Sequence, residues 1–272
     1  SPRAVCTAGK NAARYRLDGK TVDIPGPALF ADSGHGMTVE GLGALEAYPN
    51  RDSLGYIETY GLEGIRTMFR GTFRYPGWCE TLKKVVDLGL LDETPTIYEA
   101  GTTYAQFVGR LLGNGSSGNI RNDVATHLDL EPSSPVLDRF EWLGLFADDE
   151  IAITGTETTP LDILARRMEE RMQFRKGERD MIVLCHDFRA EFPTAPREHT
   201  TSTLIDFGQA DGDSSMARTV SLPAAVGTKL ILSGDVMVPG VNIPVSSAIY
   251  HPVLDELANM GIECVEKTEL VD

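Results

Sequence analysis

Arginines recur at every fourth residue in one segment of the sequence, and this residue type at this spacing could bind carboxylates. Residues 65–75 have a period of two, so we predict a strand in which Arg66, Arg70 and Arg74 share one face. Arg51 lies in the loop just upstream. Guanidinium groups bind carboxylates through paired hydrogen bonds, so converging arginines suit a small ligand with several carboxylates. The residues alone favour a simpler alternative, an exposed face whose arginines pair with surface acids.

The string Gly113–Gly118 matches G-x-G-x-x-G, the pattern of a phosphate-binding glycine loop. Such a loop follows a strand and opens a helix, but residues 104–112 have helical periodicity, so we predict a linker between helices instead. The five histidines have no i,i+4 spacing and no Ser/Asp constellation, and the four cysteines form no C-x-x-C pair. We therefore predict no metal site and no His-based triad.

The composition limits the classes of function. The 272 residues contain 25 Lys and Arg against 40 Asp and Glu, a formal net charge of −15. An acidic surface repels phosphate backbones and anionic lipids, so we expect neither nucleic acid nor a membrane as partner. No apolar run approaches the ~18 residues of a membrane span. The scattered cysteines suit a reducing compartment, so we expect a cytoplasmic location.

The elements that position the arginines follow from hydrophobic periodicity and from turn and capping residues. We predict a hairpin over 13–24 that turns at Asp18-Gly19, a strand over 44–48, and a short helix after the loop 50–53. Residues 76–177 have helical patterns. Beyond them we predict a hairpin of strands 180–192 and 197–207, a helix capped by Asp213 or Ser214, a helix over 252–260 and a strand over 262–265.

These elements predict an α/β or α+β fold, with a mixed β-sheet flanked by helices and an inserted all-helical subdomain. We expect residues 1–75 to form the first part of an α/β domain and residues 76–177 to form the helical insert. Residues 178–272 then form the second part of the α/β domain, with its C-terminal helix and strand.

The motifs Tyr48–Ser53 (YPNRDS) and Arg70–Tyr75 (RGTFRY) resemble a pair of motifs in the saccharopine dehydrogenase family that forms L-glutamate. Phe73 stands where the family usually has leucine. The resemblance continues in order along the chain, at Phe140–Phe146, Glu178–Leu184, Thr200–Leu204, Ser214–Ala217 and Pro223–Lys229. An ordered series of long motifs is far more specific than a single short one.

The resemblance implies an oxidoreductase of lysine metabolism, in amino-acid biosynthesis or degradation. It interconverts saccharopine with L-glutamate and aminoadipate semialdehyde and uses NADP or NAD. The resemblance implies that Arg51, Thr72, Phe73 and Arg74 bind saccharopine and that Ser1 borders the cofactor. It gives no catalytic acid or base.

The resemblance also predicts which portion of such an enzyme this is. We expect the C-terminal, substrate-binding portion, without most of the N-terminal dinucleotide-binding (Rossmann) domain, so the chain alone should be nearly inactive. A homodimer is a further expectation. Two alternatives stay open: an enzyme of the same superfamily that resembles carboxynorspermidine dehydrogenase, and a non-catalytic binding or dimerisation module.

Overall fold

The computed structural model describes residues 2–31, 34–113, 118–152 and 157–271. The chain divides into two compact units, Ser1–Gln173 and Phe174–Asp272. Both contain helices and antiparallel sheets, so the expected α/β or α+β class is confirmed. The division into three parts stays a prediction. Within the described ranges, no helix is both long enough and apolar enough to cross a bilayer.

The first unit combines short strands with a series of helices. Its helices are α1 (Pro2–Thr7), α2 (Gly55–Thr59), α3 (Trp78–Asp87), α4 (Tyr104–Leu111), α5 (Ile120–His127), α6 (Pro135–Leu143) and α7 (Pro160–Arg171), with 3-10 turns at Ala8–Lys10 and Gly26–Ala31. Its strands are β1 (Ala13–Leu17), β2 (Lys20–Ile24), β3 (Met37–Val39), β4 (Gly43–Pro49) and β5 (Gly71–Arg74). Helices α6 and α7 each begin with a hydroxyl cap followed by proline, a pair of residues that favours a helix start.

The strands of the first unit form two antiparallel sheets, β1–β2 and β3–β4–β5. The predicted hairpin over 13–24 is confirmed. Its turn residues Asp18 (φ 48°) and Gly19 (φ 82°) are both left-handed, as a two-residue hairpin turn requires. In the second sheet, Pro49 lies opposite Gly71 and Glu46 lies opposite Arg74.

One apolar core runs through the first unit. Phe30 and Tyr48, which precede residue 76, are buried in the same cluster as Phe107 and Phe140 from the helices that follow. The helices therefore pack against β4 through Tyr48 and hold this strand, which precedes the Arg51 loop and pairs with β5.

The second unit is a three-stranded antiparallel sheet with two helices. Its elements are β6 (Met181–Ala190), β7 (Arg197–Phe207), α8 (Ser215–Ser233), α9 (Ser247–Asn259) and β8 (Val265–Val271). The predicted hairpin and the Ser214 cap are confirmed, because the Ser214 side chain accepts the N–H of Ala217. The Asp180 carboxylate adds two more bonds at the start of α8, from the N–H groups of Ser215 and Met216.

The prediction of one strand over 65–75 was wrong, because only Gly71–Arg74 forms a strand. The segment before it is extended but changes partners along its length. Met68 exchanges backbone hydrogen bonds with Arg16 of β1, and Arg70 bonds to the loop after β4. A period of two reports an extended backbone and not its neighbour, so the three arginines do not share one face of a strand.

Two boundaries near the C-terminus also differ from prediction. Helix α9 begins at Ser247 and contains Pro252, which was expected to start it. The last strand runs over Val265–Val271 rather than 262–265, because Ile262 is buried in the core of the second unit and β8 begins where Val265 pairs with Thr203. The strand is rich in charged residues, so an apolar pattern did not reveal it.

A buried cation joins three helices of the first unit. Arg167 is 7% exposed, donates to the Leu143 carbonyl (2.9 Å) and to Asp149 (2.9 Å), and lies 4.3 Å above the ring of Tyr104. It thus satisfies a carbonyl at the C-terminus of α6 from its position on α7, and it covers an aromatic residue of α4.

Replacement of Arg167 by methionine should leave those acceptors unpaired, so we expect the free energy of unfolding to fall by about 2 kcal/mol. Chemical denaturation followed by circular dichroism measures it. The matched control is Arg171→Met, because Arg171 is exposed on the same helix and makes one bond, to the Trp142 carbonyl. Equal losses in both variants would contradict the structural role of Arg167.

Candidate functional site

The loop after β4 is held between two extended segments. The Arg14 N–H of β1 donates to the Arg51 carbonyl (2.9 Å), and the Ser53 N–H donates back to the Arg14 carbonyl (2.7 Å). Ser53 is buried, and its hydroxyl accepts the N–H of Arg70 (3.1 Å). The Asn50 N–H donates to the Arg70 carbonyl (2.8 Å), so this loop has a defined position relative to β5.

Arg51 lies at the tip of this loop with a left-handed backbone, φ 55°. A non-glycine residue in that region costs about 1 kcal/mol or more, and the bonds of the flanking residues hold it there. The side chain is exposed. Its neighbour Arg14 differs, because the Arg14 guanidinium pairs with Asp23 at 3.2 Å.

Arg74 ends β5 and is half-buried. Its guanidinium donates to the Phe73 carbonyl (2.7 Å) and to the Tyr48 hydroxyl (3.4 Å). It also lies 5.7 Å from the ring centroid of Tyr48 and 5.3 Å from that of Trp78. The direct contacts that the structure describes for this cation are therefore aromatic and polar groups and include no carboxylate.

The carboxylate nearest to Arg74 along the sheet is already engaged. Glu46 lies directly opposite Arg74, at a distance where an ion pair is usual. Instead, its two oxygens accept the backbone N–H groups of Gly77 (3.0 Å) and Cys79 (2.5 Å) at the N-terminus of α3. The positive end of the helix therefore holds this carboxylate.

Three arginines of this region have no carboxylate partner among the described residues. Within the described part of the chain, no carboxylate pairs with Arg51, Arg70 or Arg74, although the chain has a net charge of −15. Arg70 lies 4.4 Å above the ring of Tyr56, whereas Arg66 is near Asp18 at 3.9 Å. Cations that stay unpaired on an acidic protein are available to an anionic ligand.

Arg51 and Arg74 extend from different levels of the backbone. Arg51 lies in the loop that follows Pro49, which pairs with Gly71, and Arg74 ends β5 three residues after Gly71. At the rise of a β-strand, the backbone of Gly71 and that of Arg74 are about 10 Å apart. The two arginines therefore come from separate segments and are not neighbours on one strand.

The predicted site residues are only partly brought together. Thr72 and Arg74 lie on the same face of β5, but Phe73 lies on the other face, since successive strand residues alternate. Ser1 and residues 114–117 of the glycine string lie outside the described residues. Helix α4, not a strand, precedes that string, as predicted.

Sequence reasoning missed the residues that surround Arg74. Glu46 and Tyr48 are two residues apart on β4 and share a face with Thr72 and Arg74. The spacing of two between Glu46 and Tyr48 could have shown that they share a strand face. Trp78, in contrast, lies in the first turn of α3, and no spacing along the sequence marks it as a neighbour of Arg74.

Comparison with known proteins identifies relatives over nearly the whole chain. Residues 1–262 match the family described as "Saccharopine dehydrogenase C-terminal domain". Saccharopine dehydrogenase [NADP(+), L-glutamate-forming] of Saccharomyces cerevisiae is 38% identical over 98% of this chain and 61% of its own length. The enzyme of the same name from Schizosaccharomyces pombe is 36% identical over 100% of this chain.

Two further comparisons extend this set. The mitochondrial alpha-aminoadipic semialdehyde synthase of Bos taurus is 34% identical over 96% of this chain and 28% of its own length. A solved structure, the apo histidine-tagged saccharopine dehydrogenase (L-Glu forming) from Saccharomyces cerevisiae, matches with a TM-score of 0.88 and 35% identity. It covers 99% of this chain and 61% of the solved chain, so this chain spans about three fifths of the fungal relatives.

The Glu46 carboxylate gives a testable chemical signature at Cys79. Burial, and then the charge and hydrogen bond of Glu46, raise the pKa of the Cys79 thiol to about 12. Loss of the negative charge in Glu46→Gln should lower that pKa and raise the thiolate fraction. Both Cys79 and Cys6 are fully buried, so we expect the alkylation rate of Cys79 relative to that of Cys6 to rise, roughly threefold or more near pH 9. Peptide mass spectrometry after iodoacetamide labelling measures it.

Cys6 is the internal control for that labelling. Its pKa is raised to about 11 mainly by burial, and Glu46 takes no part in that shift. Unchanged Cys79 labelling in the variant would contradict the Glu46–Cys79 arrangement, and a parallel rise at Cys6 would indicate general loosening instead.

Proposed function

The chain belongs to the saccharopine dehydrogenase family, and we propose that it supplies the saccharopine-binding site of an NADP-dependent, L-glutamate-forming saccharopine dehydrogenase. The names of the fungal relatives support the substrate class and the choice of NADP over NAD. The observation that carries the proposal is the pair Arg51 and Arg74, which bind no carboxylate among the described residues of an acidic chain.

The chemistry of saccharopine fits these two cations. In saccharopine, the glutamate nitrogen is bonded as a secondary amine to the carbon that was the aldehyde of aminoadipate semialdehyde, so the molecule carries three carboxylates, two from glutamate and one from the semialdehyde. Arg51 and Arg74 each bind one carboxylate, and since they extend from different segments, the loop after β4 and the end of β5, the two carboxylates are different groups of the ligand. The two contacts then fix the carbon–nitrogen bond that the reaction forms or breaks, which is the positional contribution to rate.

The described residues do not fit a role in holding the dinucleotide. No glycine loop between a strand and a helix N-terminus is found within the described ranges, and residues 114–117 lie outside them. We therefore assign no hydride-transfer step to this chain. The cofactor contact expected of Ser1, the homodimer and the cytoplasmic location stay predictions; the cattle relative is named as mitochondrial.

The binding proposal is tested by calorimetric titration of saccharopine into the chain. Arg74→Met and Arg51→Met should each weaken binding roughly 10- to 100-fold, because each removes a charge-assisted contact. The matched control is Arg66→Met, the same change at an exposed arginine that lies near Asp18. No binding by the folded chain, or an equal loss in Arg66→Met, would falsify the assignment of the site.

A second prediction concerns activity. Because no cofactor contact is assigned to the described residues, we expect the 272-residue chain alone to produce no saccharopine-dependent reduction of NADP. The absorbance of reduced nicotinamide measures this, with the Saccharomyces cerevisiae enzyme as positive control. Turnover by the chain alone would overturn the statement that it supplies only the substrate site.

A further inference from the structure

The guanidinium of Arg74 contacts two aromatic side chains that come from different elements. Tyr48 lies on β4 and Trp78 is the first residue of α3, with ring centroids 5.7 Å and 5.3 Å from the central carbon of the guanidinium. We propose that Tyr48 and Trp78 are positioning residues, an aromatic bracket that holds Arg74 in the orientation that receives a substrate carboxylate. This inference rests on the proposed function, because it concerns the residues that orient Arg74 in the proposed saccharopine site.

The Tyr48 side of the bracket is fixed by the core. Tyr48 is 3% exposed, and its ring packs edge-on against Phe30 at 5.1 Å. Its hydroxyl lies 3.4 Å from the Arg74 guanidinium and accepts a hydrogen bond from it. A buried ring with one polar contact cannot follow Arg74, so the guanidinium must adapt to the ring.

Trp78 is positioned by the hydrogen bonds between Glu46 and the N-terminus of α3. The Glu46 carboxylate accepts the N–H groups on either side of Trp78, those of Gly77 and Cys79. Gly77 has φ 90°, a left-handed conformation that glycine adopts without strain, and this turn places Trp78 in the first position of α3. Strand β4 therefore positions both rings, because Tyr48 is part of it and Glu46, two residues earlier, holds the start of α3.

The bracket orients Arg74 and leaves it hydrogen-bonding capacity. A guanidinium has five N–H donors. The described contacts use one terminal nitrogen for the Phe73 carbonyl and the other for the Tyr48 hydroxyl. Glu46 lies opposite but is engaged at α3, and the ring faces attract the cation without occupying its donors. The remaining donors can therefore meet a carboxylate.

A double-mutant cycle on saccharopine affinity tests the positioning role. Trp78→Leu should weaken binding roughly tenfold, Trp78→Phe should restore it to within about threefold, and Tyr48→Phe should cost about threefold. In an Arg74→Met background, Trp78→Leu should have almost no further effect, because the cation that it positions is gone. In an Arg51→Met background, the roughly tenfold loss should persist.

A second readout needs no ligand. The chain has two tryptophans, and Trp142 is 57% exposed on α6, so Trp142→Phe leaves Trp78 as the single fluorophore. In that background Arg74→Met should shift the Trp78 emission and increase its quenching by acrylamide. Arg66→Met should change neither.

The outcomes separate the two proposals. Normal saccharopine binding by the unmutated chain, together with an additive Trp78–Arg74 cycle, overturns the bracket and leaves the proposed function intact. Unchanged Trp78 fluorescence in Arg74→Met also overturns the bracket. Absence of saccharopine binding by the folded, unmutated chain overturns the proposed function instead.

Discussion

The carboxylate of Glu46 at the N-terminus of α3 is the interaction on which the candidate site depends. A strand and a helix that are separated along the chain meet there through two charge-assisted bonds, of 3.0 and 2.5 Å, to backbone N–H groups. The positive end of the helix and the negative side chain favour each other, so the contact sets where α3 begins. It therefore also sets where Trp78 lies relative to β4. The same contact removes Glu46 as an ion-pair partner for the arginine opposite.

The distribution of ion pairs separates structural arginines from those of the candidate site. Arg167 and Arg218 are largely buried and each binds a carboxylate, Asp149 and Asp206 respectively. Both tie elements of one unit together. Arg51 and Arg74 bind no carboxylate among the described residues, although acids outnumber bases in the chain. An ion pair at the exposed Arg51 would contribute little stability, and the half-buried Arg74 is held by Tyr48 and Trp78 instead.

Most of the elements that could be predicted depend on short-range sequence patterns. The Asp18-Gly19 turn, the hydroxyl–proline helix starts and the hairpin of β6 and β7 depend on neighbouring residues, so the sequence pattern was sufficient. The strand over 65–75 failed because its backbone divides its hydrogen bonds between β1 and the loop after β4. Which strand supplies a partner depends on tertiary contacts that a period of two does not encode.

The candidate site was also only partly predictable from the sequence. Residue type and motif singled out Arg51 and Arg74, and the structure adds why Arg74 is oriented: a ring from β4, a ring from α3, and an acid that is engaged elsewhere. None of these three is predictable without the pairing of β4 with β5. Phe73 shows the converse, because a motif groups it with Thr72 and Arg74 although strand geometry turns its side chain to the other face.

The two arginines are prepared by different physical means, and the difference bears on recognition. Arg51 is presented by a left-handed backbone that the bonds of Arg14 and Ser53 hold in place, while its side chain is exposed. Arg74 has an ordinary strand backbone, and its side chain is held by rings. Under the proposed function, a ligand meets one rigid and one adaptable cation. The contact at Arg74 would then define the position of the reacting bond, while the contact at Arg51 would adapt to a flexible ligand. A ligand with a single carboxylate would engage only one of the two arginines, so the pair would discriminate by the number of carboxylates.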